Sequence, residues 1–529
     1  MVQLTRRRFL EFMGRGTLGL AALPAWTSCV TGERRGAGHS LPFEPIAPTT
    51  ADELVLAKGF TYQPVIARGE PINAVGDAFG CNNDYLALFP LKDKTGEAVL
   101  WVNHEFPESI LNGIRKRGEP PSRAQLEAEM HTVGGSLLHV QKTEGRWSFV
   151  PNSKYNRRLS GHTPIPFAGG VEVSGSKTAI GTFANCAGGV TPWGTVLTCE
   201  ENSDFFYGEV ELGADGRREV RPVKAGFGWE RHTRRPPEHY GWVVEVDPFT
   251  GAAKKHTSLG RFAHECATVW AGQDGRCAVY TGDDMAGGCL YKLITKKAGD
   301  LTEGVLYTAD LANGRWIPLD LKLNSSLQNK FKTQLDVLIH ARAAARLAGG
   351  TPLDRPEDIE IDPQSKAVLV TQTMNQARGN NFGSITKIAE KNNDPFALEF
   401  TATTFLAGGA ETGLACPDNL AFDRNGNLWI TSDMAAPDLN TGAYEPFGNN
   451  GLFYVPMSGP DAGRCFRVGS APVRAEFTGP FFAEDGTLFV SIQHPGEGSL
   501  SFDKPLSKWK SSVVTISGPA LERLLKPKA

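Results

Sequence analysis

The chain has 529 residues, of which 40% are hydrophobic and 21% charged, an ordinary composition for a soluble globular protein. Its formal net charge is -3, and no basic block follows the first residues, which excludes the basic surface that nucleic-acid binding needs. The 59 glycines and 34 prolines indicate frequent turns, and therefore favour many short strands over long helices.

The N-terminus has the features of a targeting segment. Residues 5–10 read TRRRFL, a twin-arginine pattern, and residues 14–25 form an apolar stretch that is too short for a permanent membrane-spanning helix. We therefore expect residues 1–29 to be a signal segment, recognised by the twin-arginine translocation machinery, that directs the protein to the periplasm or cell envelope without a transmembrane anchor. The alternative is a basic tail on a cytosolic protein.

The end of this segment leaves one question open. Residues 26–29 (WTSC) resemble a lipobox with the wrong residue at Trp26, so Cys29 is either lipidated or an ordinary cysteine. Residues 30–50 are rich in Gly, Pro, Ser and Thr, which predicts a linker before a single domain at residues 51–529. The nine cysteines include no CxxC pair, and their connectivity does not follow from their spacing.

One unit recurs along the domain: a short apolar strand follows a turn and ends in acidic or amide residues. The six copies are residues 98–105, 194–202, 276–284, 366–375, 426–433 and 486–494. Several copies follow an earlier strand, at residues 264–269, 356–362 and 417–423, so that each unit reads as a hairpin. Repeated hairpins predict an all-β fold, a six-bladed β-propeller, with helical insertions at residues 122–130 and 330–347.

Three acidic residues occupy comparable positions in this repeat. Glu265, Glu357 and Asp418 lie at the start of an inner strand, and in a propeller these starts open on one face around the central axis. Carboxylates gathered around one axis repel each other unless cations hold them. The repeat therefore predicts a metal site, against the alternative that these acids are ordinary turn and edge residues.

The most specific stretch is residues 185–202, NCAGGVTPWGTVLTCEEN, which places a thiol, two carboxylates and an amide around a turn and a strand. It resembles the PhoX-type alkaline phosphatases, whose pattern is close to NNCAxGxTPWGTxLTCEEN. The resemblance continues in order through FGCNND (79–84), NHE (103–105), GRFAHE (260–265), RPE (355–357), PDNL (417–420) and QHPGE (493–497).

This resemblance implies a six-bladed propeller enzyme that hydrolyses phosphate monoesters with Fe(3+) and Ca(2+). Cys186 would bind iron, because a thiolate among carboxylates suits a transition metal, and Glu201, Glu265 and Glu357 would supply oxygen ligands. Arg355 would hold the phosphate through its planar donors, and with Glu357 it would form the catalytic pair. The further metal-ligand candidates are Asp283, Asp284, Asp418 and Asn419.

Several alternatives remain at this point. Cys186 alone is compatible with a small buried residue, Arg355 with a surface charge, and Asp283 and Asp284 with turn caps. Two other functions compete: a propeller lactonase, which needs one calcium and no thiolate, and a non-catalytic binding propeller of the envelope. No G-x-S-x-G elbow or P-loop occurs, which agrees with metal-based catalysis, and a domain of this size is expected to be a monomer.

Overall fold

The computed structural model describes residues 41–526, apart from residues 93, 108, 110–114, 116–117, 214–216, 222–225 and 499–506. The predicted signal segment at residues 1–29, with Cys29, and residues 30–40 of the predicted linker lie outside this range. Within it, no helix has the length and hydrophobicity needed to span a membrane. The eight cysteines of the described residues form no disulfide with one another.

Six antiparallel sheets follow one another along the chain. Two early strands, β1 (Val55–Leu56) and β2 (Thr61–Ala67), join sheets that the end of the chain completes. The first sheet comprises β3 (Asn83–Pro90), β4 (Glu97–His104), β5 (Gly134–Thr143), β6 (Arg146–Phe149) and β7 (Arg157–Leu159), and a hairpin, β8 (Pro164–Pro166) and β9 (Thr178–Ile180), follows it.

The next two sheets carry the long insertions. The second contains β10 (Asn185–Val190), β11 (Val196–Glu200), β14 (Val243–Val246) and β15 (Ala253–His256), interrupted by a separate hairpin of β12 (Glu209–Leu212) and β13 (Arg218–Arg221). The third contains β16 (Thr268–Ala271), β17 (Cys277–Gly282), β18 (Leu290–Lys297), β19 (Asp300–Asp310) and β20 (Arg315–Pro318).

The last three sheets are more regular. The fourth contains β21 (Pro356–Ile361), β22 (Val368–Gln372), β23 (Ser384–Glu390) and β24 (Phe400–Ala407). The fifth contains β25 (Pro417–Phe422), β26 (Leu428–Ser432), β27 (Gly451–Val455) and β28 (Phe466–Ser470), with β1 added at its edge. The sixth contains β29 (Glu476–Phe482), β30 (Leu488–Gln493) and β31 (Ser512–Ser517), and β2 is its fourth strand.

These sheets are the six blades of a β-propeller, as predicted from the repeat. The inner strands β3, β10, β16, β21, β25 and β29 contact their neighbours in turn, and β29 contacts β3, which closes the ring. Many strands are buried on both faces because each blade packs between two others; seven of the eight residues of β4 are buried, as are all residues of β11, β26 and β27. The pairing of β2 with β31 links the two ends of the domain.

Four helices lie in connections between strands, namely α1 (Arg123–Thr132), α2 (Asp204–Tyr207), α3 (Gln334–Ile339) and α4 (Ala341–Ala348), and α5 (Pro519–Leu524) follows β31. The helix predicted at residues 122–130 is confirmed, with Ser122 as its cap in a capping box with Gln125. The single helix predicted at residues 330–347 is wrong, because the chain leaves helical geometry at His340 (φ -109°, ψ 37°) and forms two short helices.

The predicted domain boundary at residue 51 stays a prediction. Part of the predicted linker nevertheless packs against the propeller. Phe43 is 5% exposed and stacks edge to face with Phe60, with ring centres 5.3 Å apart. The Ile46 backbone N–H donates to the Arg467 carbonyl at 3.1 Å.

Candidate metal centre

In every blade, a carboxylate or thiol side chain that could bind a metal lies at or near the start of the inner strand. It is the second residue of four strands, the first residue of β29, and a residue three positions before β16. All six side chains are buried. They are Asp84, Cys186, Glu265, Glu357, Asp418 and Glu476.

A β-bulge accompanies this position and explains why the side chains face the axis. In the first blade Asn83 pairs with His104 and Leu86 with Val102, so the two residues between them on β3 oppose a single residue on β4. The same shift lies between residues 185 and 188, 356 and 359, and 417 and 420. One extra residue re-aims the side chains of a strand, which turns these ligands towards the channel.

A second tier of polar residues follows the neighbouring strand. In four blades, one residue of the neighbouring strand pairs with the residue that begins the inner segment, and the next residue along the chain is acidic. These acidic residues are Glu105, Glu201, Asp284 and Asp433. The backbone N–H of each acidic residue donates to a backbone carbonyl just before the inner segment, at 2.9 to 3.0 Å. The acceptors are the carbonyls of Asn82, Ala184, Ala263 and Cys416. In the fourth blade Thr373 holds this place. The site therefore consists of two tiers of polar side chains, most of which are carboxylates.

The residues that introduce the inner strands adopt left-handed backbone conformations that few non-glycine residues take up. In five blades the φ values lie between 49° and 57°, at Asn82, Ala184, Arg355, Cys416 and Arg474. Such a residue costs about 1–2 kcal/mol, so its recurrence beside the ligands marks strain held by the surrounding fold.

The two tiers enclose a cavity of about 210 Å³ at one end of the channel. Five predicted site residues other than Arg355 line it, namely Cys186, Glu201, Glu265, Glu357 and Asp418. Arg355 also lines it, together with Phe106 and a loop wall at residues 435–437. Asp284 joins the cluster through its carboxylate.

The candidate ligands form a continuous chain of donor atoms. In each of three groups, the ligand atoms lie within 4.8 Å of one another: Asp84, Glu105 and Cys186; Cys186, Glu201 and Glu265; Glu265, Asp284 and Glu357. Consecutive groups share a residue. The Cys186 Sγ lies 3.2 Å from Asp84 Oδ2 and 3.1 Å from Glu265 Oε1. This arrangement suits several neighbouring cations that share bridging ligands.

Two buried oxygens support this interpretation. Among the described residues, Asp84 Oδ1 and Glu265 Oε2 have no hydrogen-bond partner. A buried carboxylate oxygen without a partner is costly, and a coordinated cation removes that cost. The donor set of one thiolate and many carboxylates fits a transition metal beside hard, oxygen-preferring cations.

The electrostatics of the cluster lead to the same conclusion. Burial, with smaller effects from its neighbours, raises the pKa of Asp84 to about 6, and burial together with Asp84 raises the pKa of Glu105 to about 8. Burial and neighbouring carboxylates also raise the pKa values of Glu265 and of the Cys186 thiol well above their usual range. Without cations these groups therefore keep their protons to higher pH than usual, and bound cations would displace the protons.

Arg355 lies within the cluster. Its Nε and Nη2 donate to the Asp284 carboxylate at 3.0 and 2.9 Å, and Nη2 lies 2.6 Å from Glu357 Oε1. Nη1 has a longer contact, 3.7 Å from Asp433 Oδ2. One edge of the guanidinium is therefore fixed by Asp284, which positions the other edge.

Two of the predicted ligands are not brought to the cavity. Asp283 is fully buried and its two oxygens accept from Arg342 Nε and Nη2, at 2.8 and 2.6 Å. The Asn419 amide donates to Asp418 Oδ1 at 3.1 Å and accepts from the Gly479 N–H at 2.7 Å. Asn419 lines a separate cavity among the inner strands, so both residues are placed to support the site rather than to bind metal.

Sequence reasoning also missed candidate ligands. Asp84, Glu105, Asp433, Glu476 and His494 all line the cavity, yet none was selected. His494 Nε2 lies 2.6 Å from Glu476 Oε1, and although burial lowers its pKa, Glu476 and Glu497 raise that pKa well above the usual range. The signal that would have found these residues is position in the repeat, since each occupies a place equivalent to that of a selected ligand.

Comparisons with known proteins agree with this architecture. Residues 41–496 match the family model described as alkaline phosphatase PhoX. The structure of PhoX from Pseudomonas fluorescens in complex with vanadate, a transition state analogue, superposes with a TM-score of 0.80 at 30% identity, over 90% of this chain and 98% of that one.

Other solved structures are more distant. A putative gluconolactonase is 10% identical with a TM-score of 0.32, over 86% of this chain and 98% of its own. A protein of unknown function from Dyadobacter fermentans is also 10% identical, with a TM-score of 0.39, over 87% and 100%. The search of curated proteins found no match. The match over residues 41–496 confirms the resemblance seen in the sequence: the chain belongs to the alkaline phosphatase PhoX family and is a phosphoric monoester hydrolase.

Proposed function

We propose that this protein is an exported phosphatase that hydrolyses phosphate monoesters at a cluster of iron and calcium ions in the propeller cavity. The observation that carries the proposal is the chain of three ligand groups joined through Cys186 and Glu265. Bound cations would neutralise the phosphate charge and lower the pKa of a coordinated water.

The donor types suggest how the metals are divided. Cys186, with Asp84 and Glu265 next to its sulfur, is the place for Fe(3+), because a thiolate favours a transition metal. Calcium takes six to eight oxygen ligands. Glu201, Glu357 and Asp418 offer such oxygens on the remaining side of the cavity.

The chain's own residues bind and orient the substrate. Because Asp284 holds the Nε and Nη2 edge of Arg355, the Nη1 edge is placed to receive phosphate oxygens. The cavity of about 210 Å³ is smaller than the roughly 300–1,000 Å³ of most small-molecule sites, so it suits the phosphoryl group and the ions alone. The organic part of the ester stays at the mouth, beside Phe106 and residues 435–437.

Hydrolysis of p-nitrophenyl phosphate at alkaline pH tests this function. We expect turnover that EGTA abolishes and added calcium restores, together with iron in the purified protein. A lactone assayed in parallel distinguishes the lactonase alternative. No turnover by a folded, metal-loaded sample would refute the proposal and favour a binding propeller.

Export through the twin-arginine route is a second part of the proposal, supported by residues 5–10. Cell fractionation of a bacterial host tests it. The wild type should reach the periplasm or envelope, whereas Arg6→Lys with Arg7→Lys should remain in the cytoplasm. Labelling with a fatty acid, with Cys29→Ala as control, decides between a lipidated and an ordinary Cys29.

A further inference from the structure

A second cavity, of about 900 Å³, lies in the insertion between β11 and β14. Four arginines line it: Arg218, Arg231, Arg234 and Arg235. Two aromatic residues of the α2 segment, Phe205 and Tyr207, form part of its wall. We call it the arginine cavity.

Four arginines but only two carboxylates, those of Asp204 and Glu230, belong to the lining of this cavity, so its charges are not balanced. Arg218 Nη2 donates to Glu238 Oε2 at 2.8 Å, and Arg231 Nε lies 3.7 Å from Glu230 Oε1. No carboxylate of the described residues lies within 4.0 Å of the guanidinium nitrogens of Arg234 or Arg235. The cavity therefore carries positive charge that an anionic ligand would neutralise.

Arg235 is held in a defined orientation. Its Nη1 donates to the Gly161 and Ile180 carbonyls, both at 2.8 Å, and its guanidinium carbon lies 5.7 Å from the centre of the Tyr207 ring. Because backbone carbonyls and an aromatic ring hold it, its positive charge is fixed in place without being neutralised. A fixed guanidinium loses little conformational entropy when it binds an oxyanion.

The arginine cavity adjoins the metal cavity. Phe205, which lines the arginine cavity, packs edge to face on Phe106, which lines the metal cavity, with ring centres 6.3 Å apart. In addition, α2 begins three residues after Glu201, a candidate metal ligand. One contact between two aromatic rings thus joins the linings of the two cavities.

We propose that the arginine cavity binds a second anionic group of the substrate while the phosphoryl group occupies the metal cavity. This inference rests on the proposed function. It assigns as preferred substrates phosphate monoesters whose organic part carries a further phosphate, because guanidinium groups recognise phosphate oxygens through paired hydrogen bonds. The small metal cavity leaves that organic part outside, beside Phe106, whose ring packs against Phe205 of the arginine cavity.

Fructose 1,6-bisphosphate and fructose 6-phosphate form a matched test pair, since they differ in the second phosphate. We expect the wild type to have the higher kcat/KM for the bisphosphate. Arg234→Gln removes one exposed charge and should lower the ratio of the two kcat/KM values about fivefold, the effect of roughly 1 kcal/mol from one such contact. Arg235→Lys keeps the charge, loses the planar fork and should also lower the ratio.

Arg146→Gln is the matched control, because Arg146 is an exposed arginine on β6 of another blade. This variant should keep the wild-type ratio. If both sugar phosphates are hydrolysed and Arg234→Gln and Arg235→Lys keep the wild-type ratio, the arginine cavity does not bind the second phosphate. If the metal-loaded wild type hydrolyses neither sugar phosphate nor p-nitrophenyl phosphate, the proposed function fails and this inference fails with it.

Discussion

Substitution of Asp84 should stabilise the metal-free protein and destabilise the metal-loaded one. Burial raises the pKa of this carboxyl from 3.8 to about 6, so protonation stabilises the folded state fully below pH 3.8, and this contribution is lost as the pH rises through 6. A shift of about two pKa units at about 1.4 kcal/mol each gives a total near 3 kcal/mol. At pH 8 the metal-free wild type has lost all of it.

Asp84→Asn cannot ionise, and it keeps an oxygen that can accept from the Cys186 thiol, as Asp84 Oδ2 does at 3.2 Å. In EGTA at pH 8, its free energy of unfolding should therefore exceed that of the wild type by about 3 kcal/mol, and by about half as much at pH 5. With metals restored the order should reverse, because the variant lacks a charged ligand.

Urea unfolding with and without EGTA measures both effects. Glu399→Gln is the control, since Glu399 is 67% exposed and pairs only at the surface, with Lys391; it should change stability by less than about 1 kcal/mol in either state. Equal stability of wild type and Asp84→Asn in EGTA at pH 8 would show that burial does not raise the pKa of Asp84 as the structure indicates. If Asp84→Asn remained more stable than the wild type after metal addition, Asp84 would not be a metal ligand.

Three further predictions concern the site and its support. Cys186→Ser should lose its iron and about tenfold or more of its activity, whereas Cys465→Ser, which lies outside the cavity, should match the wild type. Metal analysis and p-nitrophenyl phosphate hydrolysis measure both effects. A full iron content in Cys186→Ser would contradict the assignment of Cys186 as an iron ligand. Arg342→Gln leaves the fully buried Asp283 without its partner and should lower the free energy of unfolding by about 3 kcal/mol in urea, and an unchanged midpoint would contradict the pairing. Truncation after residue 511 removes β31, to which β2 and β30 pair, and should abolish the cooperative unfolding transition seen by circular dichroism; a retained transition would show that the ring does not depend on this closure.

Positions in the sequence repeat predicted much of the candidate site. Acids at comparable strand starts predicted that Glu265, Glu357 and Asp418 meet on the axis, and all three line the cavity. The sequence offered Asp283 and Asp284 together as further ligand candidates, but only Asp284 joins the cluster. Successive residues of an extended chain point to opposite sides, so Asp284 joins the ligand cluster while Asp283 turns to Arg342.

Ligands in the irregular blades escaped sequence reasoning for a related reason. In the last three blades Val370, Ile430 and Val490 lie at equivalent positions 60 residues apart. Asp84 and Glu105 belong to the first blade, where the α1 insertion separates β4 from β5, so this spacing does not extend to them. Their equivalence to Cys186 and Glu201 rests on the bulge and on the backbone hydrogen bond from each second-tier residue. Both features depend on strand pairing.

The sequence alone predicted the strand-rich fold, the six repeats, the family resemblance and a metal site. It could do so because hydrophobic alternation, turns and motifs are local properties of the chain. Only the tertiary structure decided which carboxylates meet, how Asp284 fixes Arg355, and that four arginines border a cavity next to the metal centre. The physical reason is that these contacts arise when the ring closes and distant strands pair, a step whose geometry depends on packing between blades.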